Sequence, residues 1–235
     1  MNKNYSLSIL LPVINEYESL IQTINILDKE NINDEINYIF ILHPSKSKKN
    51  SIDLCLDYSK KKPNRFITIF QKKNLLGGAY LDGIEKSNST HILLMSSDLE
   101  TDPYLVKQMI KESKNNLKKI ICTSRWIEND SFEEYGFVKT YLNKLFQILV
   151  KKIFNFGLSD YTYGFRIYPF NCLREFNWKM RNHSFFLEII LFPLKKGYAT
   201  IELPAKWKKR TEGVSSNKII YYFSYFKVIL SFILK

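Results

Sequence analysis

The chain has 235 residues, 45% hydrophobic and 25% charged, which suits one α/β domain with a sizeable core and excludes wholesale disorder. Its formal net charge of +12 fits an anionic partner (nucleotide, lipid phosphate, membrane surface or nucleic acid), although lysines scattered through a Lys-, Asn- and Ile-rich chain require none. Cys55, Cys122 and Cys172 are odd in number and far apart, which argues against a disulfide framework or zinc cluster and fits a reducing cytosol.

Met1 to Tyr5 run straight into an apolar stretch without a small-residue cleavage site, so no signal peptide is expected. Ser6 to Pro12 reads as a strand, and Asn15-Glu16 opens a helix with Leu20, Ile24 and Leu27 on one face. Tyr38 to Leu42 is a second buried strand, stopped by His43-Pro44; Ser45 to Ser51 is an exposed loop, and Ile52, Cys55 and Leu56 mark the next helix face. Arg65 to Phe70 gives a third strand. A Gly-rich stretch from Asn74 to Gly83 comes next, continuing as a helix from Ala79 to Ser87.

The stretch His91 to Pro103 concentrates the chemistry. Ile92 to Met95 form a short apolar run suited to a parallel strand covered on both faces, and the run stops on Ser96, Ser97 and Asp98. Open α/β sheets bind ligands at that carboxyl edge. Oxygens at alternate positions, from Ser96, Asp98 and Glu100, can hold Mg²⁺ or Mn²⁺ beside a diphosphate; the same spacing also fits a strand followed by a polar turn. Asp102-Pro103 starts a helix. The order β-α-β-α-β-α-β predicts a parallel, doubly wound sheet with right-handed crossovers.

The second half is less regular. Lys119 to Thr123 is a strand leading into Ser124-Arg125-Trp126. Val138 to Phe154 is an amphipathic helix with Tyr141, Leu142, Leu145, Ile148 and Leu149 on one side and Lys139, Asn143, Gln147 and Lys151 on the other. Gly157 to Arg166 reads as a loop carrying Asp160, Thr162 and Gly164. Phe185 to Leu194 is a helix ended by Gly197, with Glu188 expected to pair with a buried base, and Ala199 to Leu203 is a strand. His43, His91 and His183 are too dispersed for a triad or metal site. The tail from Ile219 to Leu234 is apolar except for Ser224, Lys227 and Ser231. It is shorter than the ~20 residues of a spanning helix, so it is expected to lie on a membrane surface, or else to pack on the domain or on a second copy of the chain.

Together these stretches resemble glycosyltransferase family 2, in its dolichyl-phosphate mannosyltransferase-like branch. The resemblance runs through Leu10-Leu11-Pro12-Val13-Ile14-Asn15-Glu16, Gly77-Gly78-Ala79-Tyr80-Leu81-Asp82-Gly83 and Met95 to Pro103. It continues through Asp160-Tyr161-Thr162-Tyr163-Gly164-Phe165-Arg166, Glu202-Leu203-Pro204 and Arg210-Thr211-Glu212-Gly213-Val214-Ser215. The resemblance implies a GT-A fold: a Rossmann-like, mostly parallel sheet flanked by helices over residues 1–215, with a C-terminal apolar helical tail at 216–235. The departures fall on the nucleotide and metal side. Ser96 stands where the family's Asp-x-Asp begins, Leu42-His43-Pro44 replaces a pair of base-reading aspartates, and Leu75 takes a usual glycine position.

The resemblance further implies inverting transfer of a sugar from a nucleotide-diphosphate donor to a polyprenyl phosphate or glycan precursor, at the cytoplasmic face of the membrane. A divalent cation on Asp98 and Glu100 and a cluster of arginines would stabilise the leaving diphosphate. Pro12, Asn15, Glu16, Gly77, Gly78, Ser96 and Ser215 are the expected donor-side residues. Arg125 and Arg210 are the expected phosphate grips. Asp160 orients an arginine or the sugar, or caps a loop; Arg166 is a candidate core salt-bridge partner. The missing acids leave open a degenerate GT-A domain that binds a nucleotide, a lipid phosphate or a partner. Nucleic acid is not expected, because the lysines form no recognised motif.

Overall fold

The computed structural model describes residues 5–30, 36–128, 131–132, 136–212 and 223–234. The first half alternates strictly: β1 (Leu7–Val13), α1 (Glu18–Lys29), β2 (Ile36–Leu42), α2 (Lys49–Lys61), β3 (Phe66–Phe70), α3 (Leu75–Lys86), β4 (His91–Leu94) and α4 (Leu105–Asn115). Next come β5 (Ile120–Ser124), α5 (Phe137–Phe154), β6 (Arg166–Pro169), α6 (Phe170–Arg174), α7 (Phe185–Lys195), β7 (Thr200–Pro204) and α8 (Phe223–Ile233). The strands form one seven-stranded sheet in the order β3-β2-β1-β4-β6-β5-β7. β1 pairs in parallel with β2 and β4, β2 with β3, and β5 with β7. The expected mostly parallel Rossmann-like sheet is therefore present.

Alternation along β1 sorts its side chains into two cores. Leu7, Ile9, Leu11 and Val13 pack with Leu20 and Ile24 of α1, Cys55 of α2, and Val106 and Met109 of α4. Leu10 faces the other way, with Ala79 and Ile84 of α3 and most of α7. Both faces are covered, so these strands carry continuous apolar runs.

Two expectations need correction. The segment of β6 has the sequence pattern of a loop and its flank, yet β6 inserts between β4 and β5 and is antiparallel to both. It begins on an arginine and is four residues long, too short and too charged at its head to show a strand pattern. Arg166 is fully buried there, with Nη2 donating to the carbonyl of Asp160 (2.9 Å) and Nη1 to that of Phe186 (3.0 Å).

The second correction concerns α5. Its apolar side, which ordinary amphipathic logic turns inward, faces solvent: Phe137 is 86% exposed, Leu142 59% and Ile148 56%. Gln147 and Val150 are the buried side chains instead. Gln147 is needed inside, where its amide oxygen accepts from Tyr161 N (2.9 Å) and its nitrogen donates to Thr162 Oγ1 (2.7 Å). α8 lies beside this helix. It buries Val228, Ile229 and Phe232, with the Phe232 ring 4.6 Å from that of Phe154, while Phe223, Phe226, Leu230 and Ile233 stay exposed. The boundary expected at 216 lies outside the described residues. No helix among those described is long and apolar enough to cross a membrane.

Candidate functional site

The carboxyl ends of β1, β4 and β5 meet at one edge, and the turn after β4 supplies its acids. Ser97 Oγ donates to the Pro12 carbonyl (2.5 Å), tying this turn to β1, and Ser96 Oγ shares a 2.9 Å hydrogen bond with Thr101 Oγ1. Asp98 Oδ1 accepts from Glu100 N (3.1 Å), and Leu99 between them adopts φ +64°. A leucine in the left-handed region costs about 1–2 kcal/mol. The consequence is that two carboxylates two residues apart converge. Arg210 Nη2 lies 2.7 Å from Glu100 Oε1 and 3.5 Å from Asp98 Oδ2. Burial and the nearby Asp98 push the Glu100 carboxyl above its usual range, and Arg210 offsets this only in part. Two hard oxygen donors aimed at one cationic centre are a donor set that fits Mg²⁺ or Mn²⁺. Ser96 adds an oxygen to the rim but no charge.

Arg210 belongs to a strap that leaves β7 and crosses this edge. Ala205 N donates to the Ser124 carbonyl (2.8 Å) and Trp207 N to that of Ser131 (2.8 Å), and Trp207 bridges Thr101 and Phe132. Beyond Arg210, the Glu212 carboxylate accepts from Tyr17 N (2.9 Å), Ser19 N (2.9 Å) and Ser19 Oγ (2.8 Å) at the start of α1. That side chain is the anion a helix amino terminus favours. His183 is half-buried near Arg210, and burial and that cation push its pKa down to about 4.

Arg125 does not project as a free phosphate grip. It is 6% exposed and held bidentate by Asp160, with Nε 2.7 Å from Oδ2 and Nη2 3.0 Å from Oδ1, and its guanidinium lies 4.6 Å from the Tyr163 ring centroid. Asp160 is fully buried and also accepts from Tyr163 N (3.0 Å). Burial pushes its carboxyl upward, but Arg125 outweighs this and holds it below the usual range. Of the three roles open to Asp160, the geometry shows two at once: it orients Arg125, and it caps its loop by accepting from Thr162 N (3.2 Å) and Tyr163 N. Glu202, which the sequence marks only through the Glu202-Leu203-Pro204 stretch of the resemblance, builds this loop: its carboxylate accepts from Ser159 N (3.0 Å) and Asp160 N (3.1 Å). Glu188, expected to be structural and to pair with a buried base, accepts from the backbone N–H groups of Lys179 (3.0 Å) and Met180 (2.9 Å), which is a structural role.

At the turn expected on the donor side, Glu16 Oε2 folds back to accept from Ile14 N (2.6 Å) and Asn15 N (2.9 Å), fixing the turn after β1. His43, in place of a base-reading acid, accepts at Nδ1 from Ser45 N and Lys46 N, both at 3.2 Å. Gly77 and Gly78 lie within α3, which starts at Leu75 and not Ala79, and they serve packing. A Cβ on Gly77 would come 2.7 Å from Phe185 Cβ and 2.9 Å from the Arg181 carbonyl carbon; one on Gly78 would meet the Lys73 carbonyl oxygen at 2.6 Å. Gly77→Ala is therefore expected to cost about 1–3 kcal/mol, read as a lower urea midpoint at unchanged slope. Leu75, at the usual glycine position, has φ +65°. Ser215 lies outside the described residues. All three cysteines are free and buried, and burial raises the Cys55 and Cys122 thiols to about 12.

Comparison with solved structures agrees with the fold. Glucosyl-3-phosphoglycerate synthase from Mycobacterium tuberculosis in complex with UDP superposes with a TM-score of 0.70 at 10% identity, covering 97% of this chain and 80% of the synthase chain. Its complex with Mn²⁺, UDP and glucosyl-3-phosphoglycerate gives 0.70 at 9% identity over the same shares. The complex with Mn²⁺, UDP-glucose and phosphoglyceric acid gives 0.69 at 10%, again over 97% and 80%. At such identity the likeness establishes the fold. Residues 8–176, most of the chain, match glycosyl transferase family 2, and the chain belongs to that family.

Proposed function

We propose that this glycosyltransferase moves a sugar, with inversion, from a nucleotide-diphosphate donor to a polyprenyl phosphate presented at the cytoplasmic face of a membrane. The observation that carries the donor half is the convergence of Asp98 and Glu100 beside Arg210 at the sheet's carboxyl edge. Asp98 and Glu100 would hold the Mg²⁺ or Mn²⁺ that, when bound, neutralises charge on the leaving diphosphate. The turn of Pro12, Asn15 and Glu16 and the ring of His43 line the nucleoside side. Arg210 is the partly exposed guanidinium able to turn onto phosphate oxygens, whereas Arg125, clamped by Asp160, positions the loop beside it. A phosphate acceptor is already an anionic nucleophile, so the site needs no strong general base.

The lipid half rests on the exposed apolar faces of α5 and α8. Lys144 and Lys152 on α5 and Lys227 on α8 accompany these faces, a pairing that suits anionic headgroups around buried apolar side chains. Such a surface would hold the protein against the bilayer that carries the acceptor.

Calorimetric titration with UDP- and GDP-sugars, with Mn²⁺ or with chelator, tests the donor half. Binding at millimolar affinity or tighter that needs the metal, and that weakens at least about tenfold in Asp98→Ala, is the expected result. Ser96 in place of an acid favours a second reading, a GT-A domain that has lost catalysis. Absence of binding to every donor, with Ser96→Asp restoring it, would establish that reading instead.

A further inference from the structure

We infer that the strap from Ala205 to Glu212 is an internal competitor for the metal-bound diphosphate, with the Arg210 guanidinium occupying the cation's place on Asp98 and Glu100. This inference rests on the donor reading above and adds an order of binding to it. The strap is held on both sides of Arg210. Upstream, Trp207 N donates to Ser131 and the residue bridges Thr101 and Phe132; downstream, Glu212 takes three N–H and O–H donors from Tyr17 and Ser19 at the start of α1. The strap thus presents a cation to the acid pair and an anion to the helix amino end, within three residues of chain.

Charge sets the order of binding. The two carboxylates carry two negative charges when ionised, and Arg210 neutralises one of them. A divalent ion arriving alone has to displace Arg210 and then tolerate that guanidinium a few ångströms away. An opposite or like charge at about 4–6 Å changes the affinity of a carboxylate for a cation by a factor of about ten or more. A divalent ion arriving with a diphosphate meets no such penalty, because the displaced guanidinium has phosphate oxygens to turn onto and its planar fork matches them. Metal and nucleotide therefore bind together, and the group that blocks the empty site becomes a ligand of the filled one.

The test is Mn²⁺ binding measured by electron paramagnetic resonance on the full chain, with and without UDP. Three proteins are compared: wild type, Arg210→Ala, and Lys208→Ala, which removes an exposed strap cation while leaving the Arg210 contacts to Asp98 and Glu100 in place and controls for net charge. Without UDP, Arg210→Ala is expected to bind Mn²⁺ about tenfold more tightly than wild type, while Lys208→Ala changes less than about twofold. UDP is expected to tighten Mn²⁺ binding strongly in wild type and only weakly in Arg210→Ala. Equal Mn²⁺ affinity of Arg210→Ala and wild type, alongside clear UDP-dependent binding in both, overturns the competitor and leaves the donor reading standing. Absence of Mn²⁺ binding in all three proteins, even with UDP, removes the metal from the site and takes both readings down together.

Discussion

Asp160→Asn is expected to lower the unfolding free energy by about 3–5 kcal/mol, the cost of leaving a buried charge without its partner. Asp160 is fully buried, and its carboxylate takes both guanidinium contacts of Arg125 as well as the N–H of Tyr163. An amide in its place offers one acceptor oxygen and turns an N–H group toward the guanidinium. Urea denaturation monitored by circular dichroism measures the loss as a lower midpoint at unchanged slope. Changing Arg125→Met in the same chain removes the stranded charge and should recover a substantial part of the loss, because breaking a buried pair costs more than replacing it. A loss below about 1 kcal/mol in Asp160→Asn would mean that Arg125 is held by its ring contacts and other neighbours, and that the carboxylate is dispensable.

Acid adds an independent readout of the same pair. The Asp160 carboxyl is held below its unfolded value, near ~3.9 for a free aspartate, because Arg125 outweighs the effect of burial. A depressed carboxyl contributes stability that is fully present above the unfolded pKa and disappears as pH falls through the folded one. Wild type should therefore lose part of its stability below about pH 4, and Asp160→Asn should lack that component of the acid dependence.

The sequence discloses the fold wherever hydrophobic pattern and topology agree. The alternating first half, from β1 through α4, follows from continuous apolar strands and stepped helix faces, and each of those elements is present within a few residues of its expected span. β6 escapes such reading because its meaning lies in its neighbours. Arg166 is acceptable in the middle of a sheet only because carbonyls from Asp160 and Phe186 come to its donors, and no local pattern announces a partner twenty residues away. The site shows the same division. That Asp98 and Glu100 sit at a strand's end is legible; that Arg210, more than a hundred residues later, lies between them depends on the path of the strap. Arg125 and Arg210 look equivalent as sequence, and only the fold separates the one clamped in the interior from the one at the acid pair. Gly77 and Gly78, expected on the donor side, allow close packing, Gly77 against the 181–185 segment and Gly78 against Lys73, and a missing Cβ looks the same in sequence for either purpose.

Replacing Leu142 and Leu149 together by glutamate is expected to reduce binding to anionic vesicles by two orders of magnitude or more, with folding stability nearly unchanged. Both side chains are already exposed, at 59% and 42%, so the fold loses little when they become polar. A membrane would remove them from water, which is worth about 1.5–3 kcal/mol for each fully buried side chain. The new carboxylates would also repel the lipid charge that attracts Lys144 and Lys152, a term of about 1 kcal/mol per basic residue near the surface. Truncation after residue 218, the simplest test of an apolar tail, is less suitable, because it strips Val228, Ile229 and Phe232 out of the core. Flotation with phosphatidylserine-containing liposomes at low and raised salt reads the effect, and the wild-type signal should weaken as salt screens the lysines. Wild type that remains at the bottom of the gradient, or a double variant that floats equally well, would remove the membrane from this surface. Sedimentation would then decide whether a second copy of the chain covers it: a dimer of the wild type that dissociates when Leu142 and Leu149 become glutamate would place the apolar faces of α5 and α8 between protomers.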